Sequence, residues 1–444
     1  MTVRKELEKH FSESNLIKLF SEHVVYSGAV GIDNLDQQAF RKQLKEQVKV
    51  ISRKVLNGTY RFTKYKLKLI SKGRGKVPRE ISIPTVRDRI ALRAMCNFLS
   101  ERYQSDISFE LPQDVIKRIK VDINSGHYDG CIKLDVTNFY PSINHDILRS
   151  SLRRRIRTPE IVDIVSSAIT SPTVSVSRPT DLPTSVGIPQ GLAVSNILAA
   201  IYLRNIDKYL SEYPSIQYYR YVDDVLILCD KDKALEIAQA IIKRFSSKTK
   251  LKIHDPIKVP EKSKVGPLSD GFEYLGYKFE NSLISARAGT VENLKASLVA
   301  IFTAHKHSQY NDEGFLLWRL NLRITGCVFE NKSKGWLFFF SEINDEKLLH
   351  SLDHYVHKLC KRFDVKIKPK KFVRAFKELS HRKYETNYIP NFDTYDVEQM
   401  RDLLLKYFKT PVGKLSDEEI TYIFHKKIGK QVKDLLVDIK NFTS

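Results

Sequence analysis

An acidic dipeptide, Asp223–Asp224, lies between two apolar runs in the segment YYRYVDDVLIL. Aromatic and β-branched residues on both sides predict two short strands, with the dipeptide at the tip of the hairpin that joins them. Adjacent carboxylates are costly to bury without a partner. The chain must therefore fold so that this tip stays hydrated or receives cations. A polar hairpin tip without any function remains the alternative when the dipeptide is considered alone.

A third carboxylate, Asp135, ends the apolar stretch Cys131 to Leu134 and precedes the string VTNFYPSI. The apolar stretch predicts a buried strand, and a carboxylate at its end suits a metal ligand at the floor of a pocket. The alternative is an aspartate that caps the following turn. Asp135 and Asp223 lie 88 positions apart, and the segment between them contains the glycine-punctuated string GIPQG.

The order of these three signals favours phosphoryl transfer. That reaction needs divalent cations that activate a hydroxyl group and neutralise the leaving pyrophosphate. A protein binds such cations with carboxylates that come together from separate parts of the chain. Asp135, Asp223 and Asp224 are therefore candidate metal ligands.

The rest of the chain predicts a mixed α and β protein. Residues 1–60 show helical spacing of apolar residues, and residues 64–84 alternate like a hairpin around a basic, glycine-containing loop. Helices are predicted over 88–103 and 113–123 and after GIPQG, with a loop over 170–184 between them. A further hairpin, FEYLGYKFE, precedes a C-terminal part that reads as mainly helical to Ser444.

The formal net charge of +22 favours a polyanionic partner, and nucleic acid fits it best. Between His354 and Tyr384, 11 Lys or Arg residues alternate with aromatic residues, a composition typical of phosphate contacts combined with stacking. The alternative is a solvated helix face. The five scattered cysteines make zinc and disulfides poor predictions. The absence of a long apolar run predicts no membrane partner and a cytoplasmic location.

Five ordered blocks of the sequence resemble the reverse transcriptases, over about residues 64 to 285. These blocks are PREISIPTVRDRIALRAM, KLDVTNFYPSI, VGIPQGLAVSNILAAIYL, RYVDDVLIL and FEYLGYKF. The resemblance implies an α+β right-hand polymerase with fingers, palm and thumb, an antiparallel palm sheet and a helical C-terminal region. The implied divisions are a helical extension (1–60), fingers (61–130), palm (131–285), and a helical thumb and nucleic-acid-binding region (286–444).

The resemblance also implies roles for the acidic residues. Asp135 and Asp223 would coordinate two Mg²⁺ ions, with Mn²⁺ as a substitute, and Asp224 would complete the acidic set. The backbone carbonyl of Val136 would add a ligand to the nucleotide-bound ion.

Further positions that match the family imply contacts with the incoming nucleotide. Tyr140 would lie under the sugar and exclude a 2′-hydroxyl, which implies dNTP substrates, although a packed core tyrosine is the alternative. Gln190 and Gly191 would contact the nucleotide.

Basic positions and the last hairpin complete the implied site. Lys72 and Arg79 would grip the triphosphate, with Arg74 or Lys76 as substitutes for Lys72. Lys262, or else Lys258, would lie near the pyrophosphate. The hairpin with Tyr274, Leu275 and Gly276 would support the primer terminus.

The build of the chain most resembles the bacterial defence-associated, abortive-infection reverse transcriptases. A retron-type VTG string does not follow the last block closely, and a cysteine-paired endonuclease region of the intron type is not present in the sequence. In that group the resemblance implies a noncoding RNA template, a DNA product and protection against phage; a homo-oligomer is left open. The alternatives are a template-independent or protein-primed DNA polymerase, a retron-type or intron-type enzyme without a defence role, and an inactive RNA-binding protein.

Overall fold

The structure of the protein is a computed structural model that describes residues 2–25, 27–71, 75, 77–308, 312–382 and 385–437. The chain folds into two compact units. The first unit contains residues 1–109 and 130–266, and the second contains residues 110–129 and 267–444. The predicted divisions into fingers, palm and thumb are functional divisions of another kind, and they stay predictions. Among the described residues, no helix combines the length and apolar character that crossing a bilayer requires.

The first unit is built from two sheets with helices around them. Its strands are β1 (Tyr65–Ile70), β2 (Arg79–Ile83), β3 (Gly130–Asp135), β4 (Thr173–Val174), β5 (Gln217–Tyr221), β6 (Asp224–Cys229) and β7 (Lys264–Pro267). The larger sheet has the order β5-β6-β3-β7, in which β6 runs antiparallel to both β5 and β3. In the smaller sheet, β1 pairs antiparallel with β2 and parallel with β4.

The helices of the first unit share one apolar core with the larger sheet. They are α1 (Val3–His10), α2 (Glu13–Leu19), α3 (Gln37–Arg41), α4 (Leu44–Leu56), α5 (Val86–Tyr103), α7 (Phe139–Ser142), α8 (His145–Arg153), α9 (Pro159–Thr170), α10 (Ser195–Ser211) and α11 (Ala234–Thr249), and α6 belongs to the second unit. Ile132 of β3 and Ile227 of β6 are fully buried in one apolar core with Ile201 of α10. This burial fixes the register of the sheet, because a slip of one residue would turn apolar side chains outward.

The second unit is mainly helical. Its helices are α6 (Pro112–Asn124), α12 (Ala288–Lys306), α13 (Glu313–Thr325), α14 (Trp336–Phe339), α15 (Glu346–Arg362), α16 (Phe372–Arg382), α17 (Val397–Phe408) and α18 (Asp417–Leu435). Its strands are β8 (Phe272–Tyr274), β9 (Tyr277–Glu280), β10 (Leu283–Ala286), β11 (Cys327–Phe329) and β12 (Lys332–Lys334). Both α17 and α18 begin with a capping box. The side chain of the residue before the helix accepts a hydrogen bond from a backbone N–H in the first turn, and the side chain of that first-turn residue accepts one from the backbone N–H of the residue before the helix.

The predicted fold class is confirmed: the protein is α+β, with antiparallel pairing in the sheet that holds the acidic hairpin and a helical C-terminal part. The predicted hairpins at 64–84, at the acidic dipeptide and at FEYLGYKFE are all present. Five short strands were not predicted, among them β11 and β12, which pair as a hairpin in the part predicted to be mainly helical. β4 lies in the region predicted as a loop, β7 adds a fourth strand to the larger sheet, and β10 extends the last hairpin.

Candidate active site

The register of the larger sheet brings the predicted carboxylates together. Asp135, the last residue of β3, is the direct antiparallel partner of Asp224, the first residue of β6. Directly opposed residues of an antiparallel pair have their Cβ atoms about 4.5 to 5.5 Å apart. Asp223 occupies the turn beside them, and Val222 turns the chain there with a positive φ of 56°. Residues 88 positions apart in sequence thus meet at one edge of the sheet.

The pKa of Asp223 reflects its buried position beside the other two carboxylates. Burial of its carboxyl, together with the charges of Asp224 and Asp135, raises its pKa from the ordinary 3.8 to about 6. Arg79, at the start of β2, acts in the opposite direction. Negative charge at this edge is therefore only partly compensated by the protein itself. Removal of such charge, by a proton or by a cation, is favourable here.

The donor chemistry of this cluster fits a hard divalent cation. Carboxylate and backbone carbonyl oxygens are the ligands that Mg²⁺ prefers, and the uncompensated charge at Asp223 is the kind that a cation relieves. Within the described part of the chain, no three His, Cys, Asp or Glu side chains lie close enough to enclose an ion by themselves. A cation held at this cluster would therefore need further ligands, such as substrate phosphates and water.

The loop after α11 holds Asp135 in place. The backbone N–H of Asp135 donates to the Ser263 hydroxyl at 3.1 Å, and its carbonyl accepts from the His254 N–H at 3.1 Å. The imidazole of His254 also lies beside the Asp135 carboxylate, with Nε2 3.5 Å from Oδ2. Neither His254 nor Ser263 was predicted as a site residue. The string IHDP around His254 carries no motif, and only the bridge between Val136 and Ile253 brings it here.

Lys262 directly precedes Ser263 and is exposed, as is Lys258. The loop that carries both lysines is tied to Asp135 through Ser263, which is compatible with the predicted contact to a pyrophosphate. Which lysine fills that role stays a prediction.

Tyr140 lies close enough to Asp223 to feel its charge, and its role under the sugar stays a prediction. Burial raises the pKa of its phenol strongly, and the nearby charge of Asp223 raises it further. The hydroxyl donates to the Asn196 side-chain oxygen at 2.6 Å, which fixes the ring between α7 and α10. Asn138, with a φ of 47°, makes the turn that carries the chain from Asp135 to this ring.

The strand β2 joins Arg79 to the predicted nucleotide loop. The Gln190 carbonyl accepts a hydrogen bond from the Ser82 N–H at 2.7 Å. Gly191 has a φ of 98°, and a Cβ there would lie 2.8 Å from Ile81 Cγ2, so only glycine fits this approach. Arg79, Gln190 and Gly191 are therefore brought to one side of the carboxylates, whereas the predicted Lys72 and its substitutes Arg74 and Lys76 lie outside the described residues.

Comparison with known protein families decides the identity of this region. Residues 70–279 match the family described as "Reverse transcriptase (RNA-dependent DNA polymerase)". This segment is a reverse-transcriptase domain. The match contains every described site residue named above, from Arg79 to Ser263. The prediction of an enzyme of the reverse-transcriptase family is confirmed.

Individual relatives of the reverse-transcriptase domain are distant. Protein YkfC of Escherichia coli (strain K12) is 24% identical, and the match covers 56% of this chain and 75% of YkfC. A telomerase from Candida albicans, solved with the TWJ fragment of telomeric RNA, matches with a TM-score of 0.43 and 13% identity over 92% of this chain and 68% of its own. An apo telomerase from Candida tropicalis, truncated from its C-terminal domain, matches with a TM-score of 0.38 and 16% identity over 51% of this chain. This chain spans 55% of that telomerase.

The last predicted site element of the reverse-transcriptase domain is the hairpin with Tyr274, Leu275 and Gly276. Tyr274 is the last residue of β8, and Leu275 and Gly276 form the tight turn to β9 with φ values of 48° and 82°. The hairpin belongs to the second unit. Its role in supporting a primer terminus stays a prediction.

Proposed function

We propose that the reverse-transcriptase domain copies RNA into DNA from dNTPs at the acidic edge of the larger sheet. The observation that carries this proposal is the pairing of Asp135 with Asp224 beside Asp223, whose pKa is raised by burial and by both neighbours. Carboxylates that destabilise one another in this way are typical of functional sites, where bound cations neutralise their charge. An RNA-binding protein without catalysis would gain nothing from this arrangement.

The metal ligands in this proposal are the side chains of Asp135, Asp223 and Asp224 and the Val136 carbonyl. Two Mg²⁺ ions, with Mn²⁺ as a substitute, would supply Lewis-acid activation of the attacking hydroxyl and neutralise charge on the leaving group. His254 and Ser263 hold Asp135 in position from the side of the neighbouring loop. The rigid register of β3 and β6 presents the ligands without a rearrangement, which favours catalysis.

The remaining residues act on the nucleotide. Arg79 is suited to a two-point contact with the triphosphate, and Lys72 and Lys262 to single charge contacts with it. The ring of Tyr140, fixed by Asn196, fills the space that a 2′-hydroxyl would need. Gln190 and Gly191 form the close backbone surface against which the sugar and base rest.

The cellular role is proposed from the sequence resemblance and the charge of the chain. A net charge of +22 supports a stable association with RNA, for which a noncoding RNA template is the expected partner. The expected role is defence of a bacterial cytoplasm against phage. Host cells carrying the wild-type chain should then plate phage less efficiently than cells carrying Asp135→Asn, and the RNA recovered with the protein should have a recurring template boundary.

The biochemical test is dNTP incorporation by the full chain on a primed RNA template with Mg²⁺. An alkali-resistant DNA strand complementary to the RNA is expected from the wild type and from the control Asp232→Asn, which removes an exposed aspartate outside the site. Asp135→Asn should give no such strand. Synthesis that persists without a template, or a product that stays attached to a peptide after proteolysis, would favour a template-independent or protein-primed polymerase instead.

A further inference from the structure

Four aromatic side chains of the second unit form a continuous series across α13 and α17. Phe315 and Trp318 of α13 are nearly parallel, with ring centroids 5.9 Å apart, and Tyr407 of α17 stacks on Trp318 at 5.4 Å. Phe408 packs edge-on against both rings of α13. We name these four residues the aromatic ladder. The ladder is half-buried, whereas the other tryptophan of the chain, Trp336, is only 1% exposed.

Cationic side chains lie over the ladder. Arg319 lies 5.9 Å from the ring centre of Phe315, Lys406 lies 5.3 Å from that of Tyr407, and Lys427 of α18 lies 5.7 Å from that of Phe408. Both lysines are exposed, and within the described part of the chain neither has an acidic partner. If the aromatic ladder served only to pack the apolar core, two lysines without acidic partners would not be needed beside its exposed rings.

An open depression of about 400 Å³ adjoins the ladder at Tyr407. Its lining is Tyr395, Asp402, Leu403, Leu405, Lys406 and Tyr407. Leu405 is 54% exposed and adds an open aliphatic surface to this lining. The lining combines an aromatic surface, an aliphatic surface, a cation for a phosphate and a carboxylate that accepts hydrogen bonds from a base. These are the groups that hold an unpaired nucleotide.

We propose that the ladder and this depression bind an unpaired stretch of nucleic acid, with bases stacked at Tyr407 and phosphates held by Lys406 and Lys427. A duplex hides the faces of its bases and cannot use the rings. An acidic peptide could form ion pairs with the lysines, but it would offer no flat rings to stack on the aromatic side chains. This site goes beyond the proposed polymerase activity, because nothing in it requires the carboxylates of the first unit.

Trp318 provides the signal for a direct test, because the chain has two tryptophans and the other is buried. The full-length Asp223→Asn, Asp224→Asn double variant, kept in EDTA, is titrated with an unpaired 12-nucleotide RNA, the matching DNA, a blunt duplex and an acidic peptide. Both single strands should quench the fluorescence, and Trp318→Phe should remove the quenching. RNA that binds more tightly than DNA would identify a template strand as the occupant, and the reverse would identify the product strand.

The charge contribution is tested by Lys406→Gln with Lys427→Gln, against the matched control Lys414→Gln with Lys347→Gln, which changes two exposed lysines of the same unit that do not lie over the ladder. We expect the first pair to weaken binding about tenfold. It should also reduce the slope of the logarithm of the binding constant against the logarithm of the salt concentration by about one and a half, and the control should change neither quantity strongly. Equal weakening by both pairs, quenching by the duplex or peptide at the same concentration, or no quenching in the parent protein would overturn the proposal. Because the parent cannot polymerise, failure here leaves the proposed polymerase activity to its own test.

Discussion

The acidic cluster of the first unit and the aromatic ladder of the second unit, both of which we propose to act on nucleic acid, are built by opposite means. The cluster gathers like charges that repel one another at a partly buried place, and burial together with this repulsion raises the pKa of Asp223. The ladder gathers rings and cations that attract one another even when no ligand is present. The cluster is therefore unfavourable until a ligand arrives, whereas the ladder is stable alone.

This difference explains how each region is held. The acidic cluster needs a fixed backbone, and it receives one from the paired register of β3 and β6 and from the bonds of Ser263 and His254 to Asp135. The ladder joins side chains of separate helices through stacking, which tolerates small shifts. We expect substitutions in the cluster to affect the reaction and substitutions in the ladder to affect binding, and each prediction below tests that separation.

The largest effect is expected from Asp223→Asn with Asp224→Asn. Loss of these ligands should lower dNTP incorporation at least about a thousandfold, because the contribution of the metal ions to the transition state amounts to several kcal/mol. The double variant should keep its fold and its binding of unpaired RNA. Rates are compared in primer extension with Mg²⁺, with Asp232→Asn as the matched control. A variant that also loses RNA binding would show that the two regions are not separate.

The second prediction concerns the stability of the metal-free protein. The folded-state pKa of Asp223, about 6, lies above the ordinary 3.8, so the folded protein holds a proton that the unfolded chain releases. This contribution to stability is complete below the lower value and is lost as the pH rises through about 6. In EDTA, the free energy of unfolding should fall by at most about 3 kcal/mol between pH 4 and pH 7.5 from this group. Chemical denaturation of the wild type and Asp223→Asn measures it.

Asp223→Asn should show a flatter pH dependence than the wild type, and Mg²⁺ should restore stability at pH 7.5 in the wild type only. Identical pH profiles for the two proteins would mean that the acidic cluster is not strained in the free protein. The contrast with the ladder would then disappear.

The third prediction concerns the choice between dNTPs and rNTPs. Tyr140→Ala opens the space under the sugar and should reduce discrimination against rNTPs about a hundredfold, as expected for loss of a steric contact. Tyr140→Phe keeps the ring and removes only the bond to Asn196, so its discrimination should stay close to that of the wild type. The ratio of kcat/KM for the two nucleotides is the measurement. Equal behaviour of the two variants would show that the hydroxyl, not the ring, makes the choice.

The acidic cluster could be predicted from the sequence because its parts are local motifs. Asp223 and Asp224 stand between two apolar strands, and Asp135 ends a third; the order of these signals and the resemblance to the reverse transcriptases implied that they meet, and the register pairs Asp135 with Asp224. Gly191 was singled out by the same resemblance, and its close approach to Ile81 explains why glycine is required there.

The positions of His254, of two short strands and of the aromatic ladder could not be predicted, because they depend on contacts between segments that are distant in sequence. His254 reaches Asp135 only through the bridge of Val136 to Ile253, and no local pattern marks that loop. The strand β4 has two residues and β7 has four, too few to show an alternation. The aromatic ladder joins residues about ninety positions apart on helices whose apolar spacing indicates only an ordinary core. The predicted basic and aromatic segment from His354 to Tyr384 lies elsewhere in the sequence.

The smallest effect is expected at His254, which acts through Asp135 and not on the substrate. His254→Ala removes the imidazole that lies 3.5 Å from the Asp135 carboxylate and leaves the backbone bond between the two residues in place. Loss of a group that orients a metal ligand lowers metal affinity or activity by about ten- to a hundredfold, and we expect the lower end because Ser263 still holds Asp135.

The measurement for His254→Ala is a Mg²⁺ titration of polymerase activity. The Mg²⁺ concentration for half-maximal rate should rise while the rate at saturating Mg²⁺ recovers most of its value, and His254→Gln, which can still donate to a carboxylate, should behave closer to the wild type. The exposed His127 provides the matched control in His127→Ala. A lower rate that Mg²⁺ does not restore would assign His254 to the nucleotide and not to Asp135. The acidic cluster would then need a wider definition than its three carboxylates.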